Sequence, residues 1–145
     1  MTSLSDRPAD SDVRTPQQVV EDFFGALGSG DTTGAIAALS EDVTWFVPGD
    51  RTVVPWTGEW HGREEMRQFF SIVGEVAEPR AFELHKTLAD GDDVVVLGRF
   101  AYYYPGSGQL FDDEFAMHFR VRDGQIASYR IHEDSRALER AFTGA

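Results

Sequence analysis

The sequence predicts an α+β protein in which helices pack against one antiparallel sheet. Three observations carry this prediction. Apolar residues recur at helical spacing within residues 19–27 and 66–73. Apolar and polar residues alternate through much of the segment 81–132, which is typical of half-buried strands. Within that segment, the dipeptide Asp123-Gly124 separates two alternating runs and indicates a hairpin turn.

The first 30 residues divide into a polar tail and a helix. Residues 1–14 contain Ser, Asp and Pro throughout, so we expect a mobile tail followed by a single domain over 15–145. Thr15 and Pro16 match a helix cap followed by proline at the first helical position. The run Gly28-Ser29-Gly30 predicts the end of that helix.

The remaining elements follow from the same kinds of signal. Asp31 is predicted to cap the second helix, and Pro48-Gly49-Asp50 is predicted to end the first strand. In chain order, the predicted elements are a helix at 32–39, a strand at 43–47, a loop at 51–62, a helix at 63–74, strands at 81–88 and 93–104, a hairpin at 109–134, and a helix at 136–142.

The loop length of the last hairpin decides which side chains share a face of the sheet. A three-residue loop places Met117 opposite Tyr129 and Phe115 opposite Ile131, so we predict that loop in preference to a two-residue one. The predicted inner face carries Asp113, Phe115, Met117, Phe119, Ala127, Tyr129, Ile131 and Glu133. The predicted outer face carries Glu114, His118, Arg120, Ser128, Arg130 and His132.

The composition excludes several classes of function. The net charge of −12 disfavours non-specific binding to nucleic acid or to an anionic membrane. The chain has no cysteine, so disulfides, thiol chemistry and cysteine-ligated metals are excluded. No apolar run approaches the roughly 20 residues that span a bilayer, and the N-terminus has no apolar signal core. We therefore expect a soluble cytoplasmic protein.

The order of elements and five local motifs resemble the NTF2-like superfamily, in its SnoaL-like and ketosteroid-isomerase-like branch. The motifs are ALGSGD (26–31), EDVTWFVPG (41–49), WHGREEMRQFF (60–70), ADGDDVVV (89–96) and HFRVRDGQI (118–126). The resemblance covers about residues 15–142. It implies a conical half-barrel, in which a curved sheet surrounds a deep pocket closed by helices. It also implies a homodimer formed through the outer face of the sheet.

The resemblance further implies positions for catalytic residues, and most of these positions have lost the family's residue. The tyrosine and the two aspartates of a ketosteroid isomerase fall on Phe23, Val47 and Met117. The last-strand aspartate of SnoaL-like polyketide cyclases falls on Ile131. Members similar to scytalone dehydratase carry two cavity histidines; one falls near His85, whereas the other falls on a glycine, Gly98.

Four residues remain as candidates for acid/base chemistry. His85 is the first, because a neutral imidazole in an apolar pocket can accept or donate a proton. The alternative is a solvent-facing histidine, since Phe82 and Leu84 favour burial of the opposite strand face. The other candidates are Asp113, Glu133 and Tyr129.

Asp113 and Glu133 face each other across the predicted hairpin. Two neighbouring carboxylates repel, so one of them should hold its proton above pH 5. The alternative is two solvated charges near the ends of the strands. Tyr129 either donates a hydrogen bond to a developing oxyanion or fills the core.

Aromatic and apolar side chains form the predicted substrate pocket, unless they only fill the core. The predicted substrate-binding residues are Trp45, Trp56, Trp60, His61, Phe100, Tyr102, Phe115 and Met117. Among them, Trp56 and Trp60 lie in a Pro- and Gly-containing loop and are interpreted as a lid. His61 either gates the pocket or caps the third helix.

These observations favour a small-molecule enzyme that carries out acid/base chemistry on a hydrophobic carbonyl compound without a cofactor, by cyclisation, isomerisation or dehydration. The alternative is a module that binds a hydrophobic ligand without turnover. The four histidines lack metal-ligand spacing, so no metal site is predicted. The partners expected are a hydrophobic small molecule and a second copy of the chain.

Overall fold

A six-stranded sheet forms the frame of the protein. The computed structural model describes residues 14–145, so the tail predicted at 1–14 lies outside the described residues except for its last position. The strands are β1 (Leu39–Val47), β2 (Gly58–His61), β3 (Glu78–Asp90), β4 (Asp93–Tyr104), β5 (Gln109–Arg122) and β6 (Gln125–His132). The helices are α1 (Pro16–Gly28), α2 (Thr32–Ala37), α3 (Gly62–Val76) and α4 (Ser135–Thr143).

The strands of the sheet follow the order β2-β1-β6-β5-β4-β3. Strand β1 runs parallel to β6, and each of the other neighbouring pairs is antiparallel. The sheet is curved and does not close on itself, and the helices pack against its inner face. The predicted α+β class and the half-barrel implied by the resemblance are therefore confirmed.

The first two helices begin where the sequence predicts. Thr15 and Gln18 form a reciprocal capping box at the start of α1, with distances of 3.2 Å and 2.9 Å between their donors and acceptors. The Asp31 side chain accepts the Gly34 N–H at the start of α2. The predicted continuation of α2 to Leu39 is wrong, because Leu39 is fully buried and already pairs with β6.

The hairpin between β5 and β6 has a two-residue turn, so the predicted three-residue loop is wrong. Asp123 and Gly124 both have positive φ, 55° and 76°, which is the backbone of a type I′ turn. A bulge then leaves Ala127 without a partner on β5 and shifts the register by one residue. As a result Met117 pairs with Ile131 and Phe119 with Tyr129, which keeps the apolar side chains on the inner face.

A second bulge lies in the edge strand β3. Phe82 and Leu84 pair with the inner-face positions Phe100 and Gly98 of β4. The pairing then skips His85, and Lys86 pairs with Leu97 on the outer face. Even-numbered residues from Phe82 onward therefore face inward before this bulge and outward after it.

Strand β2 lies in the segment predicted to be a loop at 51–62. It has only four residues, and it pairs with β1 so that Trp60 lies opposite Trp45. The Arg51 side chain holds this segment in place by donating to the carbonyl oxygens of Thr57 and Glu59. None of the helices within residues 14–145 is both long enough and apolar enough to cross a membrane.

Candidate functional site

A cavity of about 260 Å³ lies between the inner face of the sheet and helices α1, α3 and α4. Its walls are almost entirely aromatic or aliphatic. The lining residues are Phe23, Phe24, Leu27, Trp45, Val47, Trp56, Phe69, Phe70, Val73, Ala77, Phe82, Phe100, Tyr102, Tyr104, Phe111, Met117, Tyr129, Ile131, Glu133 and Leu138. Such a lining binds a hydrophobic molecule by removing both partners from water.

Stacked rings form one wall of the cavity. The parallel pairing of β1 with β6 places Trp45 beside Tyr129, and their rings stack 3.7 Å apart with an angle of 11° between the planes. Phe69 and Phe70 of α3 also pack against Trp45, with ring centroids 5.8 Å and 6.2 Å away. The buried Nε1 of Trp45 has no hydrogen-bond partner among the described residues.

Glu133 is the one charged side chain among the described residues that line the cavity. It follows β6 directly and is partly buried. Burial first, then the charges of Asp113 and Asp134, raises the pKa of Glu133 from 4.5 to about 8. At neutral pH this carboxyl group is therefore mostly protonated.

The two neighbouring acids are engaged with the backbone where α4 begins. Asp113 accepts the N–H of Asp134 at 2.7 Å, and Asp134 caps α4 by accepting the N–H of Ala137 at 2.9 Å. No hydrogen bond from residues 14–145 reaches the Glu133 carboxyl group. Glu133 is thus free to exchange its proton with a molecule in the cavity.

Three tyrosines surround this carboxyl group. Burial, followed by the charge of Glu133, raises the pKa of Tyr102, Tyr104 and Tyr129 above the ordinary value of 10.0. Their phenols stay neutral at physiological pH and can donate hydrogen bonds. The cavity therefore combines one exchangeable proton with several neutral donors.

Most of the predicted pocket residues line this cavity. They are Trp45, Trp56, Phe100, Tyr102, Met117, Tyr129 and Glu133. Two others lie behind the lining: Phe115 stacks on Phe82 and Phe100, and the Trp60 indole donates to the Trp56 carbonyl oxygen at 2.9 Å. Trp56 thus lines the cavity as a buried side chain, and Trp60 supports it from behind.

His85 is not brought to the cavity, so its predicted inward position is wrong. Phe82 and Leu84 face inward, so His85 lies on the opposite, outer face beside Glu83, and its Nε2 lies 2.9 Å from a Glu83 carboxylate oxygen. Its side chain is 49% exposed. The second histidine of the resemblance falls on Gly98. That position has no room for a side chain, because a Cβ there would clash with the Glu83 carbonyl oxygen.

Two further predicted residues lie outside the cavity lining. His61 occupies the cap position of α3 without a side-chain cap bond, and its exposed ring lies 3.6 Å from Glu59. Asp113 acts on the site through its charge and its bond to the backbone of Asp134, not as part of the wall. Within residues 14–145, no cluster of His, Asp and Glu side chains is suited to hold a metal ion.

Sequence reasoning missed the helical half of the cavity. Apart from Phe23, on which a family tyrosine falls, the missed residues from the helices are Phe24, Leu27, Phe69, Phe70, Val73 and Leu138. Their helical spacing was visible, but the same spacing describes ordinary core packing. Phe82 was also missed; it is 44% exposed, lines the cavity and packs beside Phe24 of α1.

A cone-shaped sheet around an aromatic cavity, with helices closing it, defines the NTF2-like class of proteins. The family model of the SnoaL-like domain matches residues 20–129. The chain belongs to this SnoaL-like family, as the resemblance in its motifs predicted. A comparison with curated proteins found no match.

Solved structures of similar proteins cover nearly the whole fold. An NTF2-like protein from Burkholderia xenovorans LB400 is 30% identical with a TM-score of 0.80, over 88% of this chain and 95% of that chain. An NTF2-like protein of unknown function from Burkholderia pseudomallei K96243 is 26% identical with a TM-score of 0.81, over 88% and 97%. TerC, crystallised with polyporic acid, is 20% identical with a TM-score of 0.78, over 89% and 99%.

Proposed function

We propose that this protein is a small-molecule enzyme that transfers protons on a hydrophobic carbonyl compound without a cofactor. One observation carries the proposal: Glu133 has its pKa raised to about 8 inside an aromatic cavity. An acid/base group works best when its pKa lies near the working pH, because both protonation states are then populated. Carboxyl groups whose pKa is shifted by an apolar cleft are characteristic of functional sites.

The chemistry follows from the neighbours of Glu133. In its ionised form the carboxylate removes a proton from the carbon next to a carbonyl group, which leaves an enolate. Tyr129 or Tyr102 donates a hydrogen bond to the enolate oxygen, whose charge the apolar cavity would otherwise disfavour. Glu133 then returns its proton to the same or another carbon, which gives exchange or isomerisation with no net change in oxidation state.

A deuterium-exchange assay with 2-tetralone tests this proposal. Its protons next to the carbonyl exchange slowly with D₂O, and we expect the protein to accelerate that exchange. Proton transfer by a placed side chain contributes about 10²- to 10⁴-fold, so Glu133→Gln should lose the acceleration by roughly that factor. The rate should rise with pH and level off above about pH 8, where Glu133 is ionised.

Glu114→Gln is the matched control, since Glu114 is an exposed carboxylate on the outer face of β5. That variant should exchange 2-tetralone at the wild-type rate. The proposal fails if Glu133→Gln binds 2-tetralone and exchanges it as fast as the wild type does.

A binding module without turnover is the second candidate. It is favoured by the loss of catalytic groups. At three positions where related enzymes carry such groups, this chain has Phe23, Val47 and Met117, which complete the apolar wall. A module of this kind would bind 2-tetralone without accelerating its exchange. The same assay, combined with a measurement of affinity, therefore separates the two candidates.

A further inference from the structure

The charge distribution around the cavity discriminates among ligands by their charge. Glu133 is partly buried in the wall, and the nearest other charges, on Asp113 and Asp134, are also negative. Among residues 14–145, no Lys, Arg or His lines the cavity to balance them. An anionic ligand would therefore enter a site that already repels negative charge.

The same surroundings suit a cation. The wall contains two tryptophans and three tyrosines, whose ring faces attract ammonium groups most strongly when water is excluded. The groups that face Glu133 are Asp113 from β5, Asp134 from the start of α4, Tyr102 and Tyr104 from β4, and Tyr129 from β6. All of them are acids or neutral phenols, so nothing there competes with a cation for the carboxylate.

We propose that the cavity binds apolar amines in their cationic form, with the ammonium group against the Glu133 carboxylate and the apolar body against the aromatic wall. Binding converts Glu133 from the protonated to the ionised form and releases its proton to solvent. Such binding needs the cavity but no turnover, and apolar amines are a ligand class beyond the carbonyl substrate proposed above.

Three probes that share one ring system test the proposal: 2-naphthylmethylamine, 2-naphthylmethanol and 2-naphthoate. At pH 8 we expect titration calorimetry to show about tenfold tighter binding of the amine than of the alcohol, and weaker binding of the naphthoate. Because only ionised Glu133 binds the ammonium group, the amine's affinity should rise about 50-fold from pH 6 to pH 8. The alcohol's affinity should not rise.

Variants test whether Glu133 causes the preference for the amine and its pH dependence. Glu133→Gln should bind the amine and the alcohol about equally and lose the pH dependence, while its retained affinity for the alcohol shows that the cavity is intact. Glu114→Gln should behave as the wild type does. The proposal is overturned if the wild type does not prefer the amine, if the naphthoate binds as tightly as the amine, or if the amine fails to bind at about 1 mM.

Amine binding and turnover can fail separately. A protein that prefers the amine without exchanging 2-tetralone keeps this inference and loses the enzymatic proposal. A protein that exchanges 2-tetralone through Glu133 but binds the amine and the alcohol alike keeps the enzymatic proposal and loses this inference.

Discussion

Glu133 illustrates how the position of a single side chain sets its chemistry. It comes two residues after Ile131 on the inner side of β6, so the strand carries it into the cavity and away from water. Burial and the two neighbouring acids both oppose its ionisation. In the unfolded chain these effects vanish, which couples the protonation of Glu133 to stability.

We predict that the free energy of unfolding falls with rising pH relative to Glu133→Gln. The folded protein holds the Glu133 proton up to a pKa of about 8, whereas the unfolded chain releases it near 4.5. This stabilising contribution is complete below pH 4.5, decreases by about 1.4 kcal/mol per pH unit between those values, and is lost above pH 8. Urea unfolding at several pH values measures the difference.

Glu114→Gln again serves as the control and should follow the wild type across the pH range. If the wild type and Glu133→Gln instead keep a constant difference in stability from pH 5 to pH 9, Glu133 titrates as an ordinary solvated carboxyl group.

Strand alternation predicted the faces of individual residues well up to the bulges. Alternation correctly placed Met117 and Tyr129 inside and His118 and Arg130 outside, because side chains in a strand change face at every residue. The inward position of His85 came from the family resemblance; alternation from Phe82 and Leu84, which face inward, already places His85 on the outer face beside Glu83. What the sequence did not reveal is the bulge itself, which places Lys86 outward and Thr87 inward against simple alternation.

At the scale of elements, the hairpin between β5 and β6 shows two local features that compensate each other. A two-residue turn alone would have paired Met117 with Arg130 and opposed an apolar side chain to a charged one. The bulge at Ala127 restores apolar pairing across the hairpin. The predicted three-residue loop gave the right faces for the wrong reason, because both solutions differ from the simple turn by an odd number of residues.

We predict opposite effects for two Gly-to-Ala substitutions in open space. Neither Gly124 nor Gly74 has an atom within 4 Å of where a Cβ would lie. Gly124 has a φ of 76°, so Gly124→Ala should lower the free energy of unfolding by about 1–2 kcal/mol. Gly74 lies in α3, so Gly74→Ala should raise it by about 0.5–1 kcal/mol.

Thermal or urea unfolding of both variants provides the measurement, and Gly74→Ala controls for the added methyl group itself. A neutral Gly124→Ala would show that the turn does not need the left-handed backbone.

The cavity itself depends on how the helices meet the sheet, which local patterns do not encode. Phe23 of α1 and Phe69 of α3 approach Trp45 from different elements, with ring centroids 5.8 Å away in each case. Each helix has an apolar face that fits a filled core equally well. Whether those faces leave a gap depends on helix position and on side-chain volume at many contacts together.

For the molecule as a whole, the outer face of the sheet is the surface left uncovered by helices. Val95, Leu97 and Ala116 form a partly buried apolar strip on β4 and β5. Ion pairs flank the strip, including those of Arg99 with Asp112 and with Glu83 at 2.8 Å each. An apolar centre with a charged rim is the usual composition of a protein interface.

We therefore propose, as the family resemblance implies, that two copies associate through this face, and we predict that Leu97→Asp separates them. Leu97 lies opposite Ala116 within the strip, so a carboxylate there would be buried unpaired in the dimer. Each copy carries a net charge of −12, so the copies repel and salt should strengthen their association by screening that repulsion. Light scattering after size-exclusion chromatography, at about 0.05 and 0.5 M salt, measures the mass directly.

Ser71→Asp adds the same charge to an exposed position of α3, away from the sheet, and should leave the dimer intact. Leu97→Asp should run as a monomer and still bind 2-tetralone, because the cavity lies on the opposite face. A monomeric wild type at both salt concentrations contradicts the prediction, and so does a dimeric Leu97→Asp. The first outcome would mean that the chain does not associate through the strip, and the second that its dimer forms through another surface.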